Sequence, residues 1–314
     1  MKSLDQIEAR TPITNTASLV ILAQPGSYYL THNLTVTGGD GIDIFTSGVT
    51  LDLNGFTIAS TAATATGNGI SLNGSLSDIT IANGHIRGGV TNNGSGVYGG
   101  SGFAYGIYYL YGPAVNVLIS RVSVSGCQIA GIYLSTGSST VVDSCTVRTV
   151  GSYGIVASTI KNCWAMDCGY AGIYGDQVAD AHGQGSGSGY GIYASATAQN
   201  CDGSSSSSGF GLYAAVTAQN CYGSGGTGTG LYASVTLNCY GSSTSGDGLE
   251  ATTAQNCIGY SSGGGYGLYA IYIASDCYGY SNSGMGLSAF IANICHGDSS
   301  TGAFLSTTHG VNSY

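Results

Sequence analysis

Gly211-Leu-Tyr-Ala-Ala-Val-Thr-Ala-Gln-Asn-Cys-Tyr-Gly223 is followed by a Ser/Gly/Thr run that leads into Gly230-Leu231, where the same pattern begins again. Within it Leu212 and Ala214 fall on one side and Tyr213 on the other, the period of a strand. Asn220 reads as a bend, and the Gly/Ser segment as a further side of the same unit. No helical periodicity is present, and glycine at this frequency would cost a helix ~1 kcal/mol at each occurrence.

The unit recurs. Gly followed by an aliphatic residue returns at Gly154-Ile155, Gly172-Ile173, Gly191-Ile192, Gly211-Leu212, Gly230-Leu231, Gly248-Leu249, Gly267-Leu268 and Gly286-Leu287, a period of about 19 residues. Gly106-Ile107 and Gly131-Ile132 are more widely spaced, which predicts longer loops in the earlier copies. Cysteine shares the period at Cys127, Cys145, Cys163, Cys201, Cys221, Cys239, Cys257, Cys277 and Cys295; His182 falls midway across the one double step, and Cys168 alone stands outside the column. A unit this short cannot bury its own apolar face, but stacked units share a core. The expectation is an all-β parallel solenoid of roughly 11–13 coils, about 4.8 Å apart. Residues 1–48 form an N-terminal segment with a cap and first strands. Residues 49–314 form the solenoid, longer-looped over 49–150 and regular over 151–314.

Several segments resemble a known family: Pro25-Gly-Ser-Tyr-Tyr-Leu30, Val49-Thr-Leu-Asp-Leu-Asn-Gly-Phe-Thr-Ile58, Ile79-Thr-Ile-Ala-Asn-Gly-His-Ile-Arg-Gly88 and the later Gly-Ile-Tyr-Ala and Asn-Cys-Tyr-Gly coils. Together they resemble the right-handed parallel β-helix, pectin-lyase-like superfamily, and in particular its uncharacterised bacterial secreted repeat members. The resemblance implies a single right-handed parallel β-helix and a secreted or cell-surface location. It leaves function open, since that superfamily spans lyases, hydrolases, adhesins and passive scaffolds.

Composition narrows the function. The 314 residues include 54 Gly and only 7% charged side chains, against ~7% Gly and ~25% charged in ordinary domains. With 3 Pro and no Gly-X-Y period the chain is not collagen, and an apolar fraction of 43% argues against disorder. The amino-terminal residues have no apolar h-region, so no signal peptide is read, and no apolar run is long enough to predict membrane insertion. The basic residues are Lys2, Arg10, Arg87, Arg121, Arg148 and Lys161; after Lys161 only acids follow, from Asp167 to Asp298. Nucleic acid is therefore excluded as a partner, because phosphate neutralisation needs a basic patch.

One period apart means one residue above another, so each repeat position becomes a column. The cysteine column is expected to point inward as reduced thiols. No metal or cofactor is expected, because Cys-x-x-Cys is absent and a line of ligands is not a tetrahedron. Asn162, Asn200, Asn220, Asn238 and Asn256, continued by Asp276, form an amide column, with Asn54 and Asn83 as the same turn device earlier. Two aromatic columns face outward: Tyr133, Tyr174, Tyr193, Tyr213, Tyr232 and Tyr269, interrupted by Val156 and Glu250, and Trp164, Tyr222, Tyr240 and Tyr278, ending in His296. The nine tyrosines and Trp164 are the candidate ligand-binding residues. Their rings either stack on one another and stiffen the coil or offer apolar faces to sugars.

Catalytic signals are sparse. Glycoside hydrolysis needs two carboxylates about 5–5.5 Å or 6.5–9.5 Å apart; the candidate pairs are Asp40 with Asp43, Asp176 with Asp180, and Asp247 with Glu250. β-Elimination of uronides needs a cation beside a base, for which His85 and Arg87 are the nearest fragment. The signature motifs of pectate lyases and polygalacturonases have no match here, so no catalytic residue is assigned. The leading expectation is a non-catalytic extracellular or cell-surface scaffold with a polysaccharide or cell-surface glycan as partner and self-association through the solenoid ends. A polysaccharide lyase or glycoside hydrolase is the alternative, and an ice-binding face carrying Thr197 and Thr217 is a third.

Overall fold

The computed structural model describes residues 10–109, 114–311 and 313. Contacts divide the chain into two compact units, one built on residues up to Gly151 with Val156–Ser158, the other on Ser152–Ile155 and everything from Thr159 onward. Each is a parallel β-solenoid, and no helix occurs among the described residues.

In the first unit alternating β-branched and leucine residues make short strands that pair with the coil above. Gly26–Leu30 lies between Thr11–Ile13 and Val49–Asp52, and Ser77–Arg87 pairs in turn with Val49–Asp52 and Val115–Cys127. Coiling therefore begins within residues 1–48. Val20, Ile42, Ile70, Ile107 and Ile132 stand in register as one inner column. Around it Leu30, Leu34, Ile44, Leu51, Leu53 and Ile58 are fully buried. The wide step from Ile70 to Ile107 is taken up by an antiparallel hairpin, Gly89–Asn92 with Tyr98–Ser101, the longest of the expected early loops.

The second unit repeats the same column through Ile173, Ile192, Leu212, Leu231, Leu249, Leu268, Leu287 and Leu305, with the strand Tyr153–Lys161, which carries Ile155, paired before Ala171–Ala179. Counted along these columns, fourteen coils lie among the described residues, more than the 11–13 expected. The extra ones carry the same marker, Gly41-Ile42 and Gly69-Ile70, but unequal loops hide their period.

A coil of the second unit is thin. The strand Leu212–Gln219 bends where its register shifts after Ala214, turns at Asn220, and continues as Tyr222–Gly225. Its inward residues are Leu212, Ala214, Ala218 and Cys221, none exposed by more than 3%. A Cβ on Gly211 would lie 2.2 Å from the Ser224 nitrogen, and one on Gly223 would lie 2.4 Å from the Gly230 carbonyl oxygen. The opposed strands leave room for glycine only. Inward serines replace the missing apolar bulk: the Oγ atoms of Ser243, Ser261, Ser281 and Ser299 donate to the carbonyls of Gly228, Gly246, Gly265 and Gly284 at 2.7–2.8 Å. This satisfies turn carbonyls that the fold would otherwise bury bare.

The register corrects two members of the cysteine column. His182 pairs with Trp164 and Asp202, so the column position in its coil belongs to buried Ala181. The steps 163–181–201 are 18 and 20 residues, and their average of 19 is what placed His182 there by counting alone. Cys127 pairs with Val150, whereas Cys145 follows Asp143 and Ser144 and stands opposite Val122, so Cys127 is in a different column.

Candidate functional site

The expected amide column forms, and it forms a chain. Asn162, Asn200, Asn220, Asn238 and Asn256 all take the left-handed conformation, at φ 52° to 54°, as do Asp180 and Asp276. Asparagine and aspartate tolerate that region better than other side chains with a Cβ. Asn256 Nδ2 donates to Asn238 Oδ1 at 3.3 Å, Asn238 to Asn220 and Asn220 to Asn200 at 3.1 Å, and Asn200 to Asp180 at 2.9 Å. Asn54 and Asn83 adopt the same conformation in the first unit.

The two aromatic columns are outward, but their rings face one another. In the second unit Tyr174, Tyr193, Tyr213 and Tyr232 stack at 4.3, 5.1 and 4.9 Å with interplanar angles below 10°. Burial and the neighbouring phenols push the Tyr174 hydroxyl up to about 12. Glu250 then takes the place between Tyr232 and Tyr269. In the first unit Tyr133 sits above Tyr108, with Tyr105 edge-on at 6.1 Å. Stacked in this way, the inner rings of the second-unit stack turn hydroxyls and edges to solvent rather than faces. The other column runs Trp164, His182, Asp202, Tyr222, Tyr240, Ile258, Tyr278, His296. Trp164 is 54% exposed and Tyr222 40%. Trp164 packs on His182 at 5.1 Å, and His182 Nδ1 lies 3.2 Å from Asp202 Oδ2.

Between the amide chain and this second column runs a groove of about 600 Å³, lined by Asn200, Asn220, Asn238 and Asn256 on one side and Asp202, Tyr222, Tyr240 and Ile258 on the other. A further hollow of about 460 Å³ shares Asn256 and Ile258 and reaches Tyr278 and His296.

A profile of the right-handed β-helix region matches residues 20–174 and, overlapping them, 101–201, more than half of the chain. The protein belongs to the right-handed β-helix family. No curated protein and no solved structure gives a significant match.

The β-helix places its acidic pairs differently from one another. Asp176 accepts from Ser195 Oγ at 2.7 Å, while Asp180 ends the amide chain. Asp247 accepts the Tyr266 N–H at 2.7 Å, and burial raises both its carboxyl and that of Glu250. Asp40 and Asp43 lie near enough for one carboxyl to act on the other. Burial and then Asp40 push the Asp43 carboxyl up to about 6, while Asp40 itself accepts the backbone N–H of Asn68 at 2.8 Å. His85 and Arg87 are both exposed on one strand, yet the groove of about 400 Å³ beside them joins His85 to Arg121, whose Nε is held by Asn83 Oδ1 at 2.7 Å. Thr197 and Thr217 are in register, but the column continues as Val235, Thr253, Ile273 and Ile291. Among the described residues no three His, Cys, Asp or Glu side chains converge on one metal position.

Two further aromatic sets went unread in the sequence. Tyr190 stacks on Phe210 at 5.8 Å and Tyr260 on Tyr280 at 5.0 Å. The signal for the first was available: an aromatic residue precedes the repeat glycine in Tyr153-Gly154, Tyr190-Gly191, Phe210-Gly211 and Tyr266-Gly267.

Proposed function

We propose that this β-helix is a non-catalytic, secreted or cell-surface scaffold that holds a neutral, extended polysaccharide along the groove of its second unit. The observation that carries this reading is the amide chain. Each internal asparagine uses one N–H and one oxygen lone pair on its neighbours, and an amide has two N–H groups and two lone pairs. One donor and one acceptor per coil are left to face the groove, opposite the edges of Tyr222 and Tyr240 and the apolar Ile258. A row of alternating donors and acceptors beside apolar surface complements a chain of hydroxylated rings. A neutral ligand is favoured because the chain beyond Lys161 has acids and no Lys or Arg, which leaves uronate carboxylates without a partner.

An ice-binding face is disfavoured because Val235, Ile273 and Ile291 break the threonine row.

The test is affinity electrophoresis in gels containing glucomannan, mixed-linkage glucan or xyloglucan, with polygalacturonate as the acidic comparison. Retardation is expected in at least one neutral gel and none in polygalacturonate. The double variant Tyr222→Ala, Tyr240→Ala should bind at least about tenfold more weakly, on the order of 1.4 kcal/mol. Equal mobility in every neutral gel, or retardation unchanged in the double variant, overturns the groove. Release of reducing ends during incubation overturns the non-catalytic part.

A further inference from the structure

Whatever fills the groove, an unbroken file of thiols runs along its floor and along that of the adjoining hollow. Cys201, Cys221, Cys239, Cys257, Cys277 and Cys295 occupy one inward register on six successive coils. The rungs fix this: the N–H that follows each cysteine bonds the previous cysteine's carbonyl, from Tyr222 to Cys201 through His296 to Cys277, at 2.8–3.0 Å. None of the six is exposed by more than 3%, and all are free thiols. Each Sγ sits 3.1–3.3 Å from the carbonyl two residues back, so all six side chains take the same orientation. Neighbouring thiols of the file also act on one another. Cys239 and Cys277 hold the Cys257 thiol down, and Cys257 helps push Cys277 up.

A file gives a metal ion two ligands, one above and one below. Tetrahedral ions want four, but soft monovalent ions with a filled d shell accept two thiolates in a line. Two metal–thiolate bonds of about 2.3 Å laid end to end span about 4.6 Å, a little less than the ~4.8 Å between coils. A disulfide needs its sulfurs at ~2.05 Å, which demands that both side chains turn toward each other. Bridging by an ion leaves the column nearly as it stands.

We propose that the file from Cys201 to Cys295 is a binding site for a soft, two-coordinate monovalent cation, copper(I) or its redox-inert analogue silver(I). For each isolated bridge two thiols and one ion give one sulfur–metal–sulfur unit and two released protons. The metal stays monovalent, and no oxidant is consumed. In the filled file six thiolates hold five ions, so alternating charges cancel to a single negative charge. That cancellation is what makes such an array tolerable in a buried place. Ala181 ends the file below Cys201 and shows that alanine fits this register.

The experiment titrates reduced full-length protein anaerobically with tetrakis(acetonitrile)copper(I) against a copper(I) chelator, counts retained ions by native mass spectrometry, and follows proton release. With Cys163→Ala as the common background, so that the column thiols outside the file form no bridge of their own, the expected capacity is five ions with six protons released. Cys239→Ala divides the file into two and three thiols and should lower the capacity to three. Cys295→Ala shortens it at the end and should give four. Cys168→Ala, outside the file, should leave five. No ion retained against the chelator, an unchanged count in both file variants, or an equal loss in Cys168→Ala overturns the site. Circular dichroism of the metal-free variants separates loss of ligand from loss of fold, and Cys295→Ala keeps the count decisive if Cys239→Ala unfolds.

Discussion

In the first unit the coil interior is filled by Ile, Leu and Val: Leu30, Ile44, Leu51 and Ile58 are fully buried, and loops as large as the hairpin at 89–101 are accommodated. In the second, from Ile173 onward, the interior is mostly Ala, Cys, Ser and Gly around a single Leu or Ile per coil. The strands of these coils approach until glycine alone fits, and hydrogen-bonded rows of Asn and Ser take over from apolar bulk. Cross-section decides the residues. A wide coil is held by burial and tolerates irregular length; a thin one is held by rows of identical partners, which demand an almost constant period.

The sharpest way to break this contrast is to add volume where it is least available. Gly211→Val places a side chain 2.2 Å from a backbone nitrogen; it should cost more than about 4 kcal/mol and abolish cooperative folding of the second unit, seen by urea denaturation. Removing volume from the wide coil should be the milder insult. Ile70→Ala should cost ~2–5 kcal/mol and leave a measurable transition. If the two variants lose similar stability, the difference in cross-section does not govern these units.

Next in size is the amide chain. Asn220→Ala removes two hydrogen bonds, each worth ~1 kcal/mol net, and puts alanine at a φ of 52°, which adds ~1–2 kcal/mol. A loss of ~3–4 kcal/mol is expected, and Asn220→Gly should recover the conformational part. Equal losses in the two variants would mean that φ carries no strain at this corner.

The smallest effect is a titration in the first unit. The Asp43 carboxyl is raised from 3.8 to about 6 in the folded chain. The folded state therefore holds the extra proton between these values, and stability falls as pH rises through that window. Asp43→Asn should flatten the melting temperature between pH 4 and pH 7.5 and raise it slightly at the upper end. A variant that keeps the wild-type slope would place the proton elsewhere.

The fold was legible because its signal repeats. Gly-Ile or Gly-Leu at a constant step names a column, and Leu212 and Ala214 against Tyr213 name its two sides. What spacing could not resolve was a corner that floats by one residue. His182 and Ala181 differ by one in sequence and lie on opposite sides of the wall, and only the rung from the Asp202 N–H to the Ala181 carbonyl separates them. Nor does alternation say what a ring does once it points outward. Tyr193 and Tyr213 were placed outside correctly, but the 1° angle between their planes depends on the coil spacing and side-chain torsions together. The nearness of Asp40 to Asp43 depends on the path of the loop at Gly38-Gly39, which has no period to read.

The amide chain also has a direction. From Asn256 to Asn200 every side-chain dipole points the same way, N–H toward the lower-numbered coil, as peptide dipoles align along a helix. Such a row gathers positive potential at its leading end, and there it meets a carboxylate, Asp180. At the trailing end Asp276, when ionised, has no hydrogen to offer Asn256. The row is polarised by its chemistry at both ends, and Asp276→Asn would lengthen the dipole by one coil without altering its sense.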